Sequence, residues 1–159
     1  VLLTVASSAG SEIGAGLKLA GTYLCGVDAG GGVVYSDATK KWSGTVLHGG
    51  QQFVFKVALI GQVDTTKQSD TFKSAMGLYN ATLTYAGTDQ TEACDFRGST
   101  KISIGDEGIL QCDTLYGDFI VGLETLRISM ISGQFDYVNG YDRAGGAAGM
   151  QVGICTKVE

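Results

Sequence analysis

The sequence predicts an all-β domain: an antiparallel meandering barrel or sandwich of about 8–10 short strands, with at most one short helix near 69–76. Three observations predict it. Apolar residues alternate with polar ones at period two in several runs, the signature of a strand with one buried face. Those runs are divided by glycine and polar turns, and the chain holds 25 glycines and no proline. Four cysteines stand far apart, as in a domain tied by disulfides.

The strands follow in order. Short candidates lie at 22–25 and 42–47. The firmest run is 53–60, where Phe53, Phe55, Val57 and Leu59 alternate with Val54, Lys56, Ala58 and Ile60. A cap-like Ser69-Asp70-Thr71 opens the segment that could hold one or two helical turns. Tyr79, Ala81, Leu83 and Tyr85 then share a face against Asn80, Thr82 and Thr84. Candidates at 101–104 and 109–112 flank a hairpin turn at Asp106-Glu107-Gly108. After 119–123, Leu126, Ile128 and Met130 alternate with Thr125, Arg127 and Ser129. Candidates at 135–138 and 150–155 follow, with Asn139-Gly140 a second turn and 144–149 a glycine-rich loop. Phe53, Phe55, Val57, Leu59, Leu83, Leu126 and Ile128 are expected in one core. No repeat or boundary divides the chain, so 1–159 reads as a single β domain.

Cys25 lies in the first firm strand and Cys155 in the last, so a bond between them would tie the ends of the sheet. Cys94 and Cys112 flank the Asp106–Gly108 turn and make the natural second pair. Four cysteines allow three connectivities, and the others stay open. No cysteine sits in a C-x-x-C pair, and the one histidine, His48, cannot complete a zinc site of ordinary spacing. A disulfide framework implies a periplasmic or extracellular protein.

Charge narrows the partners. A formal charge of −5 with scattered cations argues against nucleic acid, which needs a basic stripe. No apolar run has the length of a membrane-spanning helix. Residues 1–10 are apolar and resemble the tail of a leader, but are expected to form a strand of the mature fold, within the subunit or added to a neighbouring copy.

Chemistry-bearing motifs are few. Asp136, Asn139 and Asp142 are a weak calcium candidate, since three oxygens around a turn fall short of the six to eight that calcium takes. Gly30-Gly31-Gly32 has no following helix or Lys-Ser/Thr pair, so it reads as a flexible turn and not a phosphate loop. His48, in a glycine turn, has no partner visible in sequence to orient it. Trp42, Tyr35, Tyr79 and Tyr85 could line a ligand pocket in a barrel mouth, or fill the core. Asn80-Ala81-Thr82 is a glycosylation sequon.

Single residues carry a resemblance over about 22–157: Tyr23-Leu24-Cys25, Lys41-Trp42-Ser43-Gly44, Phe53–Phe55, Tyr79, Thr82-Leu83-Thr84, Cys94, Gly108-Ile109-Leu110-Gln111-Cys112, Leu126-Arg127, Gly140-Tyr141-Asp142 and Gly153-Ile154-Cys155-Thr156. The chain thereby resembles small secreted, periplasmic-type four-cysteine bacterial proteins of unknown function. That resemblance implies an exported domain and brings no activity, cofactor or catalytic residue with it. The expected function is a non-catalytic exported structural or ligand-binding β-domain, with no cofactor and an unnamed small-molecule ligand. The alternative is a self-assembling subunit of an extracellular filament or surface structure, joined through its N-terminal strand.

Overall fold

The computed structural model describes residues 18–63, 77–105, 107–115, 117–133, 137–138 and 146–158. Among these residues ten strands form: β1 (Gly21–Ser36), β2 (Lys41–His48), β3 (Gln52–Gln62), β4 (Gly77–Tyr85), β5 (Thr91–Ala93), β6 (Ile102–Ile104), β7 (Ile109–Thr114), β8 (Gly117–Gly122), β9 (Arg127–Ser132) and β10 (Ala147–Val158). They make one antiparallel sheet in the order β5-β4-β3-β1-β10-β9-β8-β7, with β2 added to β1 and β6 to β4. The all-β expectation holds.

Period-two alternation decides which face is buried. In β3, Phe53, Phe55 and Val57 are buried while Gln52, Lys56 and Ala58 are exposed. In β4, Tyr79, Ala81 and Leu83 point the same way. Curling brings distant strands together inside: the Phe119 ring of β8 meets Phe53 at 5.0 Å and Phe55 at 5.8 Å, both edge-on. Edge-to-face pairs of this kind add about 0.5–1.5 kcal/mol each beyond the area they bury. The interior of this barrel-like sheet is therefore filled with side chains. Of the expected core set, Phe53, Phe55, Val57, Leu83 and Ile128 are buried, and Leu59 and Leu126 pack against its margin.

Both disulfides expected from strand placement form, Cys25–Cys155 and Cys94–Cys112, and no cysteine is left free. Cys25 and Cys155 lie directly opposite on β1 and β10. The Cys155 amide donates to Leu126 on its other side at 2.8 Å, so the cysteines occupy a non-hydrogen-bonded pair, where opposing side chains approach most closely. Cys94–Cys112 does something the sequence did not suggest. The 101–104 and 109–112 runs do not pair with each other: β6 joins β4, and β7 joins β8. The chain turns a corner there at Gly108, whose φ of 63° suits glycine. The bond consequently links the two ends of the sheet rather than a local hairpin.

Three other expectations change. Gly30-Gly31-Gly32 is not a turn; it lies inside a 16-residue β1, paired with β2 on one side and β10 on the other. A Cβ on Gly30 would collide with the Met150 carbonyl, and one on Gly32 with that of Ala148. Glycine permits this close backbone approach. The 135–138 run is no strand where described: Tyr137 and Val138 are helical, the Tyr137 amide bonding to the Gly133 carbonyl at 3.2 Å. Ala147, Ala148 and Gly149 belong to β10 and not to a loop. The N-terminal segment 1–10, the helix at 69–76, the Asn139-Gly140 turn and the calcium candidate Asp136, Asn139 and Asp142 lie outside the described residues.

Candidate functional site

β1 changes partner halfway along. Gly21–Gly26 pairs with β3, and Ala29–Ser36 pairs with β2. Between them, Asp28 is the extra residue of a bulge, because Val27 faces Gly153 and Ala29 faces Val152. A bulge re-aims the side chain it carries. The turn after β2 secures it, Gly49 donating to the Asp28 carbonyl and Gly50 to that of Val27, both at 2.9 Å. Asp28 is exposed at the edge of a concavity on the outer sheet face.

That concavity, about 610 Å³, runs across β8, β9, β10 and β1. Its large exposed apolar side chains are Ile120, Val152 and Ile154, with Ile109 at the end, while Ile128 of its lining is buried. Strand parity explains this. Cys155 must point inward to reach Cys25, so Gln151 and Gly153 share its face, and Met150, Val152 and Ile154 point outward. Arg127 of β9 stands opposite Ile154, while Ala29, beside Asp28, stands opposite Val152. Thr125 and Ser129 add hydroxyls. The result is an apolar floor with one cation and one anion on opposite sides of β10.

The aromatic residues expected to line one pocket are not brought together. Tyr35 and Trp42 meet at 5.6 Å where β1 pairs with β2, and Tyr137 adds a third ring 5.3 Å from Trp42. Tyr79 is fully buried in the core, and Tyr85 packs edge-on against Phe53 at 5.3 Å. Because Tyr79 and Tyr85 share the inward parity of β4, they fill the core with Leu83 and face no opening.

His48 ends β2 and is exposed; its backbone carbonyl accepts from the buried Gln151 side-chain amide at 3.3 Å. Among the described residues, no group of three or more His, Cys, Asp or Glu side chains could hold a metal ion. No described helix is long and apolar enough to cross a membrane. Burial pushes the Tyr23 phenol above its usual pKa, helped by the neighbouring Tyr79, and burial raises Tyr79 likewise. Both are core groups; Tyr23 donates to the Leu19 carbonyl at 2.8 Å.

Sequence reading passed over the groove because Ile120, Val152 and Ile154 read as ordinary strand residues. The parity of Cys155 was the signal that could have exposed them. No protein-family model, curated protein or solved structure matches this chain.

Proposed function

We propose that this chain is a non-catalytic, exported β-domain that works by binding, with the groove across β8, β9, β10 and β1 as its contact surface. The observation that carries this reading is the outward apolar row Val152 and Ile154, 48% and 65% exposed, in a concavity with a polar rim. A row of apolar side chains kept in water on a domain with a complete core elsewhere is the pattern of an interaction surface. Two disulfides with no free cysteine suit an oxidising compartment, which supports export.

The test uses a neutral apolar fluorophore, N-phenyl-1-naphthylamine, with protein at about 1 µM, well below the concentrations at which small interfaces associate. The wild-type protein should enhance its emission. Val152→Lys and Ile154→Lys, both at exposed positions, should abolish the enhancement while leaving the thermal midpoint unchanged. Equal enhancement by wild type and both variants would overturn the reading.

A further inference from the structure

β2 presents an open edge. Among the described residues it pairs with β1 alone, from Lys41 opposite Ser36 to His48 opposite Ala29, without a break in register. The Tyr35 amide donates to the Gly146 carbonyl, toward β10. Main-chain groups alternate in direction along a strand, so Val34 turns toward β2 and its partner Ser43. Ser43, Thr45 and Leu47 therefore bond to β1, and Gly44 and Val46 turn their amides away from the sheet. The Val46 carbonyl, on the same side, accepts from the neighbouring Thr45 hydroxyl at 3.3 Å. No charge, proline or bulge defends the edge between Ser43 and Leu47. The sheet ends at β5 and β7, by contrast, are joined by Cys94–Cys112.

We propose that this edge takes up residues 1–6 of a second copy as an antiparallel strand. Val46 is 65% exposed on one face of β2, and Leu47 is half-buried on the other. An added strand therefore needs apolar side chains on both of its faces. Val1, Leu3 and Val5 supply one, Leu2 and Ala6 the other, and the first charge after them is Glu12. Main-chain bonds give such a contact its affinity and the alternate side chains its selectivity. The surface is separate from the groove, whose lining includes no residue of β2.

Chain length favours a second copy over the same one. Lys18, the first described residue, lies at the opposite end of β1, its carbonyl accepting from Lys157, which faces Tyr23. In an antiparallel addition Ala6 sits near Ser43, level with Val34. From Val34 back to Gly21 is about 43 Å of strand. Residues 7–17 span about 40 Å at full stretch. A strand folded back onto its own subunit would hold that linker taut, whereas a neighbour sets no such limit. Each copy then gives a strand at one place and accepts one at another, so the contact is head-to-tail and builds open chains or rings.

Sedimentation velocity on the full chain from about 5 to 500 µM is the test. The wild type should pass from monomer to dimer and to larger species. Leu3→Pro/Thr4→Pro strips the donor of two successive amides, one of each direction, and should leave a monomer throughout. Val46→Pro removes an amide that faces away from the sheet, where an edge strand tolerates proline, and should also stay monomeric. Val46→Lys, which keeps the backbone intact, should weaken association about tenfold or more. Mixing the two proline variants pairs an intact acceptor with an intact donor, and should give a one-to-one dimer and nothing larger. Circular dichroism checks the fold of each variant, and Val46→Lys takes the place of Val46→Pro in the mixture if proline unfolds β2. A wild-type monomer at every concentration, association indifferent to these variants, or a mixture that stays monomeric would overturn the proposal. None of these substitutions touches Val152 or Ile154, so the naphthylamine result stands or falls apart from it.

Discussion

Cys94 and Cys112 are 18 residues apart in the chain, yet their bond, with Cα atoms 4.7 Å apart, joins opposite ends of a ten-stranded sheet. Cys94 directly follows β5 and its amide bonds to Ala81 of β4, while Cys112 is in β7. Next to the bond, Asp95 and Asp113 exchange backbone hydrogen bonds of 2.7 and 3.4 Å. The disulfide thus acts as a clasp where the regular ladder is incomplete.

Replacing both Cys94 and Cys112 by Ala should lower stability by about 3 kcal/mol, the chain-entropy value for a loop of this length. The loss should also be local. Hydrogen exchange at the Asp95 and Asp113 amides should accelerate far more than at β3 amides. Equal acceleration everywhere would mean that the bond does not hold the sheet ends. Unreduced peptide mapping should recover Cys25 with Cys155 and Cys94 with Cys112.

Phe119→Ala should cost about 3–5 kcal/mol in a urea titration, because its buried ring touches both Phe53 and Phe55 across the interior. A double-mutant cycle with Phe53→Leu should return a coupling of about 0.5–1.5 kcal/mol. A cost below about 0.5 kcal/mol, the usual range of a surface site, would place the ring outside the core.

The glycine triplet separates close approach from simple flexibility. Gly31→Ala should be neutral or mildly stabilising, since a Cβ there meets nothing within 4 Å. Gly30→Ala and Gly32→Ala should each destabilise by about 1–3 kcal/mol, because the added carbon meets the backbone of β10. Three equal melting temperatures would refute the distinction.

Alkaline stability should track the buried phenols. Tyr23 and Tyr79 both bind their protons more tightly when folded than the usual phenol, whose pKa is about 10. Their contribution is fully present below the unfolded value and is lost as pH rises through the higher folded ones. Urea midpoints should therefore fall above about pH 10. Tyr23→Phe should blunt that fall, while costing about 0.5–1.5 kcal/mol at neutral pH through the lost bond to Leu19. A midpoint that is flat across this range would show that these phenols are not held protonated by the fold.

Much of the architecture was legible without coordinates, because strand burial follows a local rule. The alternation at Phe53, Phe55 and Val57 and at Tyr79, Ala81 and Leu83 reports directly which side chains leave water. The short β5 was missed, since Thr91–Ala93 offers too few residues for any alternation. The candidate site was hardly legible: Tyr35 and Trp42 share a strand pair, but Tyr79 and Tyr85 belong to the interior.

By itself the sequence determined the strand class, the inward residues of the strongest runs and the existence of a disulfide framework. The first two depend on spacing within about ten residues, where the pleat dictates direction, and the third on the even count of widely separated cysteines. Only the tertiary structure decided that Cys94–Cys112 clasps the sheet ends, that Gly30-Gly31-Gly32 runs straight between two strands, and that Asp28 and Arg127 flank one apolar groove. These depend on which strands become neighbours. Pairing is set by the summed burial of the whole core and leaves no periodic trace in the residues it brings together.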